Sequence, residues 1–430
     1  MRKRLLRAAL VAGLPLCMLG AAVVGTTPAV AADKGSPPKN AVSKAIAKQV
    51  SDAQKAIVAK DWPTAIAKCK EAQAVAGLTD FDNYIINRFL AIAYLNSGDQ
   101  VNATTTIAAA VENPAAPPDE MKQLLRPALQ LENNQGNYPK VIEIGKRAEQ
   151  LGLTDEQTLG EMAVAYFNMK DYDNAIVYAK KSIAEYDKLA KTPLYPVYQV
   201  WSFSLDMQKN RPEEIKAFER MVRDYGKAED WGHLIDFALA ELATSSRAYR
   251  ETAALDIYRL DLTVGAMSNA ADFKAMADVA TLVHSPGDAQ QALRAGLAKG
   301  VLTQAQIGTL LARTDADAKR DEPILPQAEA TAAKKPTADE DVSVAEAYFG
   351  YGRYADAARV AQRATDKTGP KAMQARLLLG MAQAKQGDAA GAAQTLSSVT
   401  GDSSLVRVAE LWKIYAARIN PPAAPAAAGH

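Results

Sequence analysis

Cysteine and histidine are nearly absent from this sequence, which has two cysteines and three histidines in 430 residues. Cys17 and Cys69 form no C-x-x-C pair, and His233 and His284 are 51 residues apart and belong to no recognised metal-binding motif. No H-E-x-x-H, G-x-S-x-G or phosphate-binding glycine loop occurs either. We therefore expect a protein without enzyme activity, bound metal or cofactor.

Aromatic residues are also scarce, at 7% of the chain, although 48% of the residues are hydrophobic. This composition favours many small, closely packed helices over one large aromatic core. Neither sign of charge dominates, because 50 basic residues face 49 acidic ones. A nearly neutral chain argues against general binding to nucleic acid.

The first 32 residues have the segment order of a secretory signal peptide. Four basic residues in the first seven positions precede an apolar run at 8–24 and then a small-residue segment. Cleavage would leave 46 basic and 49 acidic residues, a formal charge of −3, and no stable membrane span. An uncleaved membrane anchor is the alternative. Cys69 would then be the only cysteine, and its place on a small-residue helix face predicts a buried structural thiol.

Turn residues recur at a nearly constant interval. Asp61, Asp99, Asn137, Asp171 and Asn210 are 38, 38, 34 and 39 residues apart. An apolar stripe at helical spacing precedes each turn, and a stripe of small residues follows it. The pattern predicts stacked helical hairpins, each of which buries its apolar faces against its neighbours.

The clearest hairpin covers 159–183 and resembles the tetratricopeptide repeat family. Its matching residues are Ala163, Tyr166, Asp171, Tyr172, Ala175, Ala179 and Ser182, and similar sets surround Asp99 and Gly352. The resemblance implies an all-α solenoid of about nine stacked antiparallel hairpins. It also implies a protein or peptide partner, bound in a concave groove that the first helix of each hairpin lines.

Composition divides the chain into further segments. Residues 33–40 form a polar tether, and 41–312 form the main array, whose pattern degenerates after about 210. Residues 313–340 lack an apolar stripe and predict a linker or loose insertion. Residues 341–419 contain further units and an amphipathic capping helix, and 420–430 predict a disordered tail.

Two arginines occupy equivalent first-helix positions in adjacent units. Arg88 lies fifteen residues before Ala103, and Arg126 lies fifteen before Val141. On a common groove wall they could give bidentate hydrogen bonds to an acidic peptide or a terminal carboxylate. The alternative is that both arginines are solvated or paired within the protein.

Three asparagines repeat in the same way. Asn96, Asn134 and Asn168 each lie seven residues before the first small residue of the following helix. They could form a ladder of ligands for a peptide backbone along the groove. Each also precedes a turn, so the alternative is that they close the ends of helices.

These features predict a non-enzymatic interaction scaffold of the bacterial cell envelope. The expected compartment is the periplasm of a Gram-negative bacterium, with secretion as the alternative. Two other functions stay open: a structural subunit of an envelope assembly complex, and an all-helical envelope hydrolase.

Overall fold

The computed structural model describes residues 41–243 and 249–419. Within these ranges the regular structure is helical, apart from one isolated bridge between Thr337 and Thr368. The predicted all-α solenoid architecture is confirmed. The predicted signal peptide (1–32), tether (33–40) and tail (420–430) lie outside the described residues.

The chain divides into two compact units between Glu214 and Ile215. The helices before the division are Ala47–Val58 (α1), Trp62–Gln73 (α2), Asp80–Ser97 (α3), Gln100–Glu112 (α4), Pro118–Asn134 (α5), Tyr138–Gln150 (α6), Glu156–Asn168 (α7), Tyr172–Lys188 (α8) and Tyr195–Met207 (α9). Arg211–Asp224 (α10) contains the division itself.

The first unit is a stack of hairpins. Successive helices pack together, and α1 also packs on α3, α5 on α7, and α7 on α9. We call α1, α3, α5, α7 and α9 the first helices, because each opens a hairpin. Small residues such as Ala103 and Ala175 are fully buried between helices, which lets the helices approach closely.

The predicted turn residues begin the second helix of each hairpin. The carboxylates of Asp61, Asp99 and Asp171 each accept a hydrogen bond, at 3.1–3.2 Å, from the backbone N–H three residues later. Each bond satisfies one of the free N–H groups of a helix start. The recurring Asp is therefore a helix cap, which explains its regular spacing, whereas Asn137 begins α6 without a side-chain capping bond.

Cys69 is buried on α2 with 2% of its surface exposed. Burial raises the pKa of its thiol to about 12, which keeps the sulfur protonated at neutral pH. The expectation of a buried structural thiol is confirmed.

The second unit contains the remaining helices. They are Ala228–Leu242 (α11), Arg250–Thr263 (α12), Ala270–Leu282 (α13), Pro286–Ala298 (α14), Gln304–Asp321 (α15), Leu325–Ala332 (α16), Asp339–Gly350 (α17), Tyr354–Thr365 (α18), Ala372–Lys385 (α19), Ala389–Ser397 (α20) and Ser403–Ile419 (α21).

The segment 313–340, expected to be a linker or loose insertion, is mostly helical: it contains the end of α15, a 3-10 helix at Glu322–Ile324, all of α16 and the start of α17. This corrects the sequence interpretation. The segment is rich in Ala, Lys and Glu, which favour helices even without an apolar stripe. Glu329 also attaches it to the following hairpin, because its carboxylate binds Arg359, Arg363 and the hydroxyl of Tyr348.

The predicted capping helix is present as α21, but its packing extends beyond the end of an array. Besides α19 and α20, α21 packs against α11 and α12 at the start of the unit. Trp412 Nε1 donates a hydrogen bond to the backbone oxygen of Asp256, at 3.1 Å. Arg418 donates to the backbone oxygen of Arg223, at 2.6 Å. The second unit is therefore closed by its last helix.

Candidate functional site

The five residues proposed from the sequence all lie on first helices of the first unit. Arg88 belongs to α3, and its side chain is 7% exposed. Its Nη1 lies 3.0 Å from Glu120 Oε2 on α5, and the hydroxyl of Tyr84 donates to the same oxygen at 2.7 Å. Arg88 is thus paired within the protein, which the sequence analysis gave as the alternative to ligand binding. The pair joins α3 to α5.

Arg126 lies on α5 and is half-buried. Its charge lowers the pKa of Glu161 on α7, which opposes the effect of burial on that carboxyl. The two arginines are thus on neighbouring first helices, as the repeat spacing predicted. Their role as ligands for an acidic partner stays a prediction.

The three asparagines lie at the carboxyl ends of α3, α5 and α7. The Nδ2 groups of Asn96 and Asn168 donate to the backbone oxygens of Ile92 and Val164, at 2.8 and 2.9 Å. These bonds hold the side chains against their own helices, as the helix-closing alternative expects. Asn134, by contrast, is exposed.

A buried pair on the same helices escaped the sequence analysis. Glu161 has no exposed surface, and Asn133 Nδ2 donates to its backbone oxygen at 3.0 Å and to its Oε2 at 2.6 Å. Desolvation raises the pKa of Glu161 to about 7. The available signal was its position on a first helix between Gly160 and Met162, inside an otherwise apolar stretch.

We expect Glu161→Gln to stabilise the protein in a pH-dependent way. The pKa of Glu161 is higher in the folded state than its ordinary value of 4.5, so ionisation costs stability as pH rises from about 4.5 to 7. The substitution should raise the free energy of unfolding by about 2–3 kcal/mol at pH 8 and change it little at pH 4.5. Urea unfolding at both pH values measures the difference.

The matched control is Glu143→Gln on α6, because the Glu143 side chain is 66% exposed. It should leave the unfolding free energy nearly unchanged at both pH values. An equal gain from Glu161→Gln at pH 4.5 and pH 8 would contradict a buried, shifted carboxyl.

The second unit holds a cluster of buried charges around Arg259 on α12. Its Nε and Nη2 donate to the two carboxylate oxygens of Asp288 on α14, at 3.0 and 2.6 Å. Its Nη1 donates to Asp256 Oδ1, at 2.7 Å. All three side chains are at most 8% exposed. A bidentate guanidinium–carboxylate pair of this kind is specific in geometry and costly to break.

Two glycines bring the helices of this cluster together. A Cβ on Gly287 of α14 would lie 2.6 Å from the backbone oxygen of Gly350 on α17, so only glycine allows this approach. A Cβ on Gly350 would in turn lie 2.7 Å from Asp288 Oδ2. The close crossing of α14 and α17 places Asp288 next to α17, where the next member of the cluster lies.

Glu346 on α17 adds a third carboxylate. Its Oε1 accepts a hydrogen bond from Gln374 Nε2 on α19. Burial raises the pKa of Glu346, and it raises the pKa of Asp256 to about 7. Both shifts have the same origin, because low dielectric and neighbouring carboxylates penalise the charged forms.

These groups line a partly enclosed cavity of about 320 Å³, whose walls include Asp256, Arg259, His284, Glu346 and Lys371. Polar and charged side chains therefore converge on a concave site, which is the usual form of a ligand pocket. In the part of the chain that the structure describes, no three His, Cys, Asp or Glu side chains are grouped as a metal site. Over the same ranges, no helix is long and apolar enough to cross a membrane.

No protein-family model matches the chain, and no curated protein has a significantly similar sequence. Solved structures show a distant likeness. A structure of Naa15/Naa10 bound to HypK-THB is 13% identical, with a TM-score of 0.34, over 82% of this chain and 63% of that one. The crystal structure of yeast Tom70 is 10% identical, with a TM-score of 0.22, over 86% and 96%. The chain thus spans less than two-thirds of the first of these.

Proposed function

We propose that this protein is a non-enzymatic interaction scaffold that binds a peptide or protein segment across the first helices of its first unit. The tetratricopeptide resemblance implies that a peptide or protein partner binds in the groove that the first helices line. The compartment we propose is the bacterial cell envelope, on the strength of the signal-peptide order in residues 1–32.

One observation supports this function most directly. In each hairpin of the first unit, one residue lies three positions before the turn residue. From the first hairpin to the fifth, these residues are Val58, Asn96, Asn134, Asn168 and Met207. We call these five residues the first-helix row. They lie at the carboxyl ends of α1, α3, α5, α7 and α9, and therefore at equivalent levels of consecutive hairpins. Val58 and Met207, at the two ends of the row, are 58% and 57% exposed.

The row has the chemistry that an extended peptide needs. Exposed aliphatic side chains at its ends can contact apolar side chains of a ligand, and amides between them can bond a peptide backbone. The bonds that Asn96 and Asn168 make to their own helices use Nδ2 and do not involve Oδ1. With packed helices about 8–10 Å apart, the four intervals of the row span roughly 32–40 Å, the length of about nine to twelve extended residues.

Site-specific photo-crosslinking tests this function. We expect p-benzoylphenylalanine at position 58 or 207 to crosslink one and the same partner from an envelope extract, because both positions lie on the proposed row. A cytosolic extract should not yield that partner. Gel shift and mass spectrometry identify the product.

Exposed valines on second helices provide matched controls. Val101 on α4 and Val177 on α8 are 72% and 48% exposed, and the same reagent there should not crosslink this partner. Crosslinking from positions 101 and 177, and not from 58 and 207, would contradict the row and place the binding surface on the second helices.

A further inference from the structure

The cavity beside Arg259 in the second unit lies apart from the first-helix row and belongs to no function described so far. Its charged lining comes from three parts of the chain: Asp256 and Arg259 on α12, Glu346 on α17, and Lys371, which precedes α19. It is a mixed-charge cavity of about 320 Å³, and its charge balance decides what it can bind.

The charge balance of the whole cluster around the cavity is negative. Arg259 is bonded to both Asp288 and Asp256, so its guanidinium is already matched by two carboxylates. Glu346 is the third carboxylate, and it accepts a hydrogen bond from the neutral amide of Gln374. The positive charge of Lys371 lowers the pKa of Glu346. Lys371 lines both the cavity and a neighbouring hollow on the surface. With all of these groups ionised, the two carboxylates and two cations of the lining balance, and Asp288, which is bonded to Arg259 outside the lining, gives the cluster three carboxylates against two cations.

The raised pKa values of Asp256 and Glu346 agree with this balance. Both pKa values are raised because burial and the neighbouring carboxylates make the ionised forms less stable than they are in water. A cation that entered the cavity would remove this penalty. An anion would increase it, since Arg259 is already engaged by Asp288 and Asp256.

Two open hollows adjoin the cavity. His284 and Ser285 border both the cavity and a hollow of about 460 Å³. Ser343 and Lys371 border both the cavity and a second hollow of about 680 Å³. Ile324, which is 55% exposed, lines both hollows. A chain segment can therefore lie across the hollows and insert one side chain into the cavity between them.

We propose that this cavity binds a primary ammonium group, carried by a lysine side chain of a peptide segment that lies in the adjoining hollows. Glu346 receives the ammonium directly, and Asp256 adds to the negative field. This site is independent of the first-helix row, so either proposal can fail without the other.

Isothermal titration of the purified full-length protein with end-blocked peptides tests the proposal. The probe is Ala-Ala-Lys-Ala-Ala, the neutral counterpart has norleucine in place of lysine, and 1,5-diaminopentane represents a free amine. We expect the lysine peptide to bind, and the norleucine peptide and the diamine to bind at least tenfold more weakly.

Glu346→Gln should weaken binding of the lysine peptide at least tenfold, because it keeps the shape of the side chain and removes its charge. This variant should fold, since the Gln carbonyl can still accept the Gln374 bond; circular dichroism checks this. The control Glu322→Gln replaces an exposed glutamate of the same unit that lies outside the cavity lining, and it should bind the peptide normally.

Three results would overturn the proposal: equal binding of the norleucine peptide, unchanged binding by Glu346→Gln, or no binding of the lysine peptide at millimolar concentration. Equal binding of the diamine would overturn the peptide as the source of the ammonium group. The comparison between peptides uses the unsubstituted protein, so it stands even if the Glu346 variant does not fold.

Discussion

Replacement of Arg259 by methionine is expected to lower the free energy of unfolding of the second unit by about 3–5 kcal/mol. Methionine retains much of the aliphatic length of arginine but removes the charge that Asp256 and Asp288 share. Two carboxylates that are 8% and 3% exposed would then lie in the interior without their cation. The expected loss comes mainly from these uncompensated charges. Urea unfolding followed by circular dichroism measures it.

An exposed pair provides the matched control for Arg259→Met. Arg294 lies 2.9 Å from Asp315, with the two side chains 60% and 42% exposed. Arg294→Met should change the free energy of unfolding by less than about 1 kcal/mol, because water already solvates both charges. Adding Asp288→Asn to Arg259→Met should recover part of the loss. A loss below about 1 kcal/mol for Arg259→Met alone would show that water reaches the cluster.

Trp412→Ala is expected to cost about 3–5 kcal/mol of stability in the second unit. Trp412 on α21 has no exposed surface, and its ring packs edge-on against Phe349 and Tyr415. The substitution removes this packing, together with the hydrogen bond to the backbone of Asp256 on α12. Because these contacts attach α21 to the start of the unit, their loss should also loosen α11 and α12.

Hydrogen exchange with mass spectrometry distinguishes this opening from a general loss of stability. In Trp412→Ala, amides of α11, α12 and α21 should exchange faster, whereas those of α3 to α7 should not change. Trp412→Phe retains a buried ring and loses only the indole N–H, so we expect a smaller loss of about 1–3 kcal/mol. Uniformly faster exchange along the whole chain would contradict a closing role for α21.

The hairpins of the first unit could be predicted because their determinants are local. A capping carboxylate such as Asp99 acts on a backbone group three residues away. A small residue such as Ala103 is needed wherever a second helix packs against the first. Both requirements recur along the array, so they leave a period in the sequence.

Other features depend on distant residues and leave no such period. Trp412 meets a backbone group 156 residues earlier in the chain. Asp256 and Arg259 have the i, i+3 spacing of an ordinary solvated helix pair. Their burial depends on the approach of Gly287 to Gly350, which are 63 positions apart in the sequence. The cavity and the packing of α21 against α11 and α12 could therefore be recognised only from the structure, and not from the sequence.

The same difference applies to the candidate sites. The repeat register correctly placed Arg88 and Arg126 on neighbouring first helices, because register is a property of spacing. It could not show that Arg88 pairs with Glu120, because the partner lies on the next hairpin and the period of a repeat does not specify contacts between particular side chains.

The return of α21 to α11 and α12 has a consequence for how the chain folds. In the first unit each hairpin needs only its neighbours, so structure can grow hairpin by hairpin as the chain is synthesised. The second unit cannot be completed until its final helix exists, because contacts such as that between Arg418 and Arg223 span 195 residues. Contacts of such long range slow folding. We therefore expect the first unit to form early and stepwise, and the second to form late, in one cooperative step.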